Sequence, residues 1–451
     1  MLRYFLFFCI TTLFCFCNPK HSGELIELGD AILLTDKGTD KGSGYSMQNK
    51  IVTSDIGGVR KTHFTYTCIE DTDRFVHWKS MSAWVATFNH QTNEIISRTY
   101  IGQIYDNHGT PSLTIDRNGY LHIVYAPHHH PFHYRKSVLP NNSTKWQAAE
   151  FVSARDGVLS ADYDYAAETQ PVEGEWTYPI IKVDSAGIIH VAGSLSRSAA
   201  YVRKVDGKWQ KPQVLYTARK TYSRYNVMMN VGPRGAVHVL APDMAIIRRD
   251  TTAYYRMETD YIYFRSNDQG ATFNRRGIAF SSQQGYIQGN GNLAVDSKGH
   301  PHFLAMERDY EQHRWQWHVF FDGREWQREK IQLEDLYIWD SSFTIDDQDR
   351  LVILTAANRA DHHWRHASNR LLLLVGRSAE HLKIFEVVDD LEELNSWLPA
   401  VQENQFFSKL APQLFFVMWT EETDLHGNYT RNWDTTLSTR VYAKRIILFE
   451  E

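Results

Sequence analysis

Cysteine is nearly absent from the body of this chain. Of 4 cysteines in 451 residues, Cys9, Cys15 and Cys17 lie in an apolar N-terminal run and only Cys68 follows. Without that run no intramolecular disulfide can form, so the fold must rest on its core. Proline is sparse, at 13, which excludes a collagen-like or proline-rich chain. No long basic run occurs and the net charge is −5, which disfavours nucleic acid as a partner. An anionic polymer would have to bind through a local cluster of Arg, Lys and His. Beyond the N-terminal run no segment is apolar enough to cross a membrane. Amphipathic helix is missing too, except for a stretch around Asp389 to Trp397.

The N-terminal run itself reads as an export signal. Arg3 is its positive flank, and Tyr4 to Cys17 falls short of the roughly 20 residues needed to span a bilayer. Residues 1–17 are therefore expected to be removed and the protein to be secreted, periplasmic or on an outer surface. Cys15 or Cys17 as a lipoprotein cysteine, and so a lipid anchor, is the alternative. Aromatics are plentiful, with 13 Trp, 24 Tyr and 23 Phe. Most of these suit the core of packed sheets, and flat rings also stack on sugar faces.

One pattern recurs: an alternating apolar strand, an Asp or Gly turn, and a second strand often carrying His. It appears as PSLTIDRNGYLHIVY (111–125), YPIIKVDSAGIIHVAG (178–193), NVMMNVGPRGAVHVLA (226–241), GNLAVDSKGHPHFLA (291–305) and SSFTIDDQDRLVILTA (341–356). Each reads as a β-hairpin. Outer-strand signals between them end at Trp146, Trp209 and Trp326, and SNDQGATF (266–273) fits the Asp-box turn S-x-D-x-G-x-T-F/W. End segments 63–88 and 413–449 add two more units. The expectation is an all-β chain folded as a single seven-bladed β-propeller over residues 25–451, acting as a monomer. Closing the ring hides sheet edges that would otherwise aggregate. His122, His190, His238 and His302 hold one equivalent position in successive hairpins and read as structural.

The segment DNHGTPSLTIDRNGYLHIVYAPHHHPFHYRKS (106–137) concentrates the chemistry. His108 precedes one strand of a hairpin, and His128 to His130 follow the other. A hairpin returns its end to its beginning, so His108 and the triplet should share one end near the ring axis. A triplet alone makes a poor metal site, because alternate residues of a strand face opposite ways. No cofactor motif is present; a structural metal ion is left open.

These residues resemble the BNR-type propellers that include the ulvan lyases of polysaccharide lyase families 24 and 25. The shared motif is H-x-x-P-x-L-x-x-D-x-x-G-Y-L-H, a His-rich turn, Pro, and an aromatic-R-x-S strand, here at 108–137. The resemblance implies β-elimination on a uronic-acid-containing, ulvan-like glycan, an acidic polysaccharide. It implies His108, His128 and Tyr178 as catalytic residues, with His129 in place of His128 if the turn is shifted by one. Tyr225 matches a further substrate-binding tyrosine. The arginine that the resemblance implies would fall at Ser194, so Arg197 or Arg224 is left to supply that charge.

A lyase takes the C5 proton of a uronate and expels the oxygen on C4. A cation must meet the carboxylate so that an enolate-like intermediate can form. Arg suits this best, and a nearby cation would also make a tyrosine a better base. Two other readings stand beside it. A glycoside hydrolase, rhamnosidase-like, on the same scaffold would want paired carboxylates, and none is evident beside His108. A non-catalytic glycan-binding propeller would need neither. A sialidase has only the Asp-box in its favour, since its arginine triad is not found.

Overall fold

The computed structural model describes residues 25–69, 81–104, 108–125, 131–152, 176–195, 198–217, 227–248, 254–283, 285–287, 291–309, 313–358, 369–388, 395–403, 414–422 and 439–449. Among these residues the chain is β-strand with two 3-10 turns and no α-helix. The Asp389–Trp397 stretch is not the expected helix where it is described: Trp397 lies in the strand Asn395–Val401. Its side chain is 1% exposed, so strand pairing and burial override a weak helical pattern.

The hairpin repeat is real. Ser112–Ile115 pairs with Leu121–Tyr125, Trp176–Val183 with Ile189–Leu195, Met228–Val231 with Val237–Arg248, and Leu293–Val295 with Pro301–Asp309. Local hydrogen bonds explain why the sequence turns there. Asp116 Oδ1 accepts from the amides of Asn118 and Tyr120, both at 2.9 Å. Asp184 and Asp296 repeat the device in their own hairpins. Asp side chains that mimic a backbone acceptor favour such turns. The Asp-box closes in the same way: Thr272 N donates to Asp268 Oδ1 (2.9 Å) and Gly270 N to Ser266 Oγ (2.7 Å).

Among the described residues the propeller has five hydrogen-bonded sheets, not the seven blades expected from the hairpins. The correction arises at sheet edges, where pairing joins repeats that the sequence separates. The strand Ile26–Gly38 pairs along Thr439–Leu448, from Ile26↔Leu448 to Gly38↔Thr439. Its last residue also pairs with Val59–Ile69, at Gly38↔Cys68, so the first and last described strands share one eight-stranded sheet. In the nine-stranded sheet the short strand Gly285–Ile287 bridges Tyr254–Ser266 and Pro301–Asp309. Pairing the first and last described strands in one sheet closes the ring without a covalent link.

Inner strands abut around the axis. Ile181 N donates to Ser112 Oγ (3.3 Å), Asn230 Nδ2 to Leu293 O (2.8 Å), Val401 N to Ser342 Oγ (3.1 Å) and Thr53 Oγ1 to Gln402 Oε1 (2.9 Å). One apolar layer, with Phe64, Phe88, Phe416 and Met418, packs between strands of the eight-stranded sheet. Another is Phe132, Trp176, Val191 and Val202. Burial of each such side chain is worth about 1.5–3 kcal/mol. That makes the layers the main source of stability in a chain whose Cys68 is buried and forms no disulfide.

The four repeated histidines are structural. His122, His190 and His238 place Nδ1 at 2.6, 2.6 and 2.7 Å from the hydroxyls of Tyr134, Tyr201 and Tyr263. His302 meets His318 instead, at 3.0 Å. The opposite nitrogen of His122 faces its turn aspartate, Asp116, at 3.2 Å. Burial pushes the Asp116 carboxyl up, but the bonds from His122 and Tyr120 outweigh it and hold the group below its ordinary range. No helix among the described residues is long and apolar enough to cross a membrane.

Candidate active site

The site forms where a loop meets the inner ends of the strands. Residues 39–50 connect Ile26–Gly38 to Ile51–Ile56 and are irregular, yet nearly all are buried. Buried irregular backbone must find partners, and here they come from all round the ring. Ser43 Oγ donates to Leu398 O (2.7 Å), and Ser43 N donates to Thr420 Oγ1 (2.8 Å). Gln48 Nε2 donates to Thr110 O (2.8 Å) and Pro179 O (3.2 Å). Gly291 N donates to Ser46 Oγ (3.0 Å). The loop therefore lies across the centre of one face of the propeller. Lys50 ends it, donating to Gln48 Oε1 at 2.8 Å and to Pro111 O. Burial holds its amine well below the usual lysine range.

Of the seven residues implied by sequence, the structure describes two, and it brings them together. His108 and Tyr178 have ring centroids 6.4 Å apart in an edge-on arrangement. His108 stands just ahead of Ser112–Ile115, and Tyr178 is in Trp176–Val183. Tyr178 is 3% exposed and has φ 57°. That left-handed conformation is rare for a residue with a Cβ and clusters at functional sites. It falls in a bulge between Thr177 and Ile180, although the following Pro179 by itself favours an extended residue there. Gly193 lies opposite, where a Cβ would stand 2.9 Å from Thr177 O. His128, His129, Arg197, Arg224 and Tyr225 lie outside the described residues.

Two more side chains complete the cluster, and sequence reasoning missed both. Tyr45 stacks on His108 (6.4 Å, 23° between planes) and meets Tyr178 edge-on at 5.0 Å. Lys41 places Nζ 2.8 Å from His108 Nε2 and 5.4 Å from the centre of the Tyr45 ring. A lysine that donates to Nε2 requires that nitrogen to be the unprotonated one, leaving the ring proton on Nδ1. Neither residue belongs to the repeat. The available signal was the glycine-flanked run DKGSGYSMQNK, which follows no strand or helix period.

Ser194 is 2% exposed and paired with Thr177 and Ala199 inside the sheet. It is a strand residue with no charge to offer. Farther along the same loop, Ser46 hydrogen-bonds Asp340, a half-buried carboxyl pushed up to about 7 by desolvation against the bonds from Ser341 N and Ser46. Among the described residues no group of three or more His, Cys, Asp or Glu could hold a metal ion. What the cluster offers is an imidazole, two phenols and an ammonium: groups that move protons and meet an anion.

A propeller with proton-transfer groups gathered at the centre of one face defines the class. Residues 65–334 match the BNR repeat-containing family, and the chain belongs to it. A curated ulvan lyase of family PL25 from Pseudoalteromonas sp. (strain PLSV) is 27% identical over 109 residues, 21% of this chain. That match spans only 21% of the curated relative. A solved PL25 ulvan lyase, bound to a repeat of glucuronic acid and 3-sulfated rhamnose, aligns with a TM-score of 0.64. The alignment is 15% identical and covers 94% of this chain and 96% of that one. The solved polysaccharide lyase Uly1 aligns with a TM-score of 0.53 at 12% identity, over 94% of this chain and 100% of that one. At such identities the two structures speak for the fold alone.

Proposed function

We propose that this protein is a polysaccharide lyase that cleaves a uronic-acid-containing, ulvan-like glycan by β-elimination. The observation that carries the reading is the meeting of His108 and Tyr178, 70 residues apart, on one face of the ring. In the reaction the C5–H bond breaks, its electron pair becomes the C4–C5 double bond, and the C4–O bond to the leaving sugar breaks. Tyr178 takes the C5 proton, helped by the cations around it. His108 holds the substrate with its Nδ1 proton, and His128, or His129, completes the pair. Tyr178 or a histidine returns a proton to the leaving oxygen. Tyr225, Arg197 and Arg224 serve as substrate-binding residues in this reading.

A rhamnosidase-like glycoside hydrolase has one observation in its favour, the Asp340 carboxyl, whose raised pKa suits a general acid. Hydrolysis wants a second carboxylate. One experiment separates the readings. The protein is incubated with ulvan and other uronate polymers, and the ultraviolet absorbance of the unsaturated product is followed. A lyase raises it; a hydrolase releases sugar without it; a binding module releases nothing. The apolar run behind Arg3 supports action outside the cytoplasm.

A further inference from the structure

We propose that Lys41 is the cation that meets the substrate carboxylate, and so selects an ionised uronate over a neutral sugar. The inference rests on the lyase reading. It starts from a requirement of that chemistry, since the C5 proton is barely acidic until the charge on the neighbouring carboxylate is met. Ser194 cannot meet it, being a buried hydroxyl within a sheet. Lys41 brings a positive charge to within 2.8 Å of His108 and against Tyr45, which in turn touches Tyr178.

The loop is constructed to hold this lysine in place. Its amide donates to Thr39 Oγ1 (3.2 Å), and its carbonyl accepts from Gly44 N (2.9 Å) and Thr67 Oγ1 (3.3 Å). Thr39 is itself anchored, its carbonyl accepting from Thr439 Oγ1 at 2.6 Å. Gly42 follows, where a Cβ would lie 2.4 Å from Val441 Cγ2, so the chain passes too close to the wall for a side chain. Lys41 is 7% exposed, unlike the solvated lysines typical of a surface. An ordinary lysine side chain must give up much rotamer freedom to hold one position. Here the backbone is fixed from both sides and the stem is packed, so the ammonium is already in place when substrate arrives.

In the elimination Lys41 neither loses nor gains a proton. In this role its ammonium meets both His108 Nε2 and the carboxylate and is not consumed. His108, Tyr45 and Tyr178 then surround the sugar ring on which the charge develops.

The test uses the full protein and two forms of one uronate polymer, ionised and methyl-esterified. Esterification removes the negative charge, and with it the need for a cation. Lys41→Met should lower kcat/KM on the ionised polymer by about 100-fold or more. Lys41→Arg should stay within about tenfold of the parent, since a guanidinium also meets a carboxylate. On the ester the gap between the parent and Lys41→Met should shrink to less than about fivefold. Equal loss on both polymers would overturn the inference, because it would mean that Lys41 only supports His108. Near-parental activity of Lys41→Met on the ionised polymer would overturn it too. Melting temperatures are compared first, and Lys41→Gln carries the same comparison if Lys41→Met does not fold. If the parent protein eliminates neither polymer, the lyase reading itself has failed, a result distinct from the two above.

Discussion

Tyr178 and Leu398 enter the ring on the same backbone device. Each has a left-handed conformation, φ 57° and 50°. Each precedes a proline and lies in a bulge, between Thr177 and Ile180 and between Trp397 and Ala400. Such a conformation costs roughly 1–2 kcal/mol for a residue with a Cβ. The layers around it, including the buried Trp176 and Trp397, can absorb that cost. Both bulges face the loop 39–50: Leu398 O accepts from Ser43 Oγ and Pro179 O from Gln48 Nε2. The strain aims one phenol at the centre of the site and fixes the loop above it.

Tyr178→Phe should abolish elimination and leave folding nearly intact. The change removes one hydroxyl and little volume, so stability should move by only about 1 kcal/mol. Activity on uronate polymers and urea unfolding are measured on the same preparation. Full activity in the variant would make the tyrosine structural.

Gly270→Ala should be costly in a way that Gly187→Ala is not. Both glycines have positive φ, 79° and 83°. At Gly270 a Cβ would stand 1.8 Å from the Tyr201 hydroxyl, which bonds His190 Nδ1; at Gly187 nothing lies within 4 Å. Gly187→Ala should cost roughly 1 kcal/mol for the conformation alone. Gly270→Ala adds a displaced buried hydrogen bond and should lose about 2–4 kcal/mol. Denaturant midpoints of the two variants report the difference.

Acid should weaken the fold through histidines buried neutral. Burial pushes His63 down to about 4 and His238 down to about 3. The unfolded chain binds these protons below about pH 6.5, whereas the folded chain does not. The stability they contribute is thus complete above about 6.5 and is lost as the pH falls toward 4 and then 3. His63 Nε2 lies 3.1 Å from Asn141 Oδ1, and His63→Gln, which keeps a polar side chain there, should show a smaller loss between pH 6.5 and 4.5. Urea midpoints at the two pH values test it. An unchanged loss would place the acid sensitivity elsewhere.

Asp340 should act in the opposite sense. Its folded carboxyl holds a proton up to about pH 7, while the unfolded one releases it near 4. Stability from this group therefore falls as the pH rises from about 4 to 7. Asp340→Asn keeps an acceptor for Ser341 N and Ser46. It should gain on the order of 1 kcal/mol over the parent at pH 8 relative to pH 4, with partial exposure limiting the effect. The same variant tests the hydrolase reading, because a general acid cannot be replaced by an amide.

Much of this protein was legible in its sequence, because the features concerned are local. An Asp turn needs only Asp116 and the amides two and four residues on. The Asp-box needs only Ser266 to Thr272. Period-two alternation and these turns determine hairpins, and repetition of hairpins implies a ring. A hairpin also returns to its start, which is why His108 could be assigned to the inner end of a strand. The sheet count and the rest of the site were decided only in the tertiary structure. Pairing of Ile26–Gly38 with Thr439–Leu448 joins the first and last described strands and turns separate repeats into one sheet. The loop that carries Lys41 and Tyr45 has no period to read. Its conformation is set by acceptors and donors as remote as Leu398, Thr420 and Thr439. Those groups come within reach only once the ring has closed.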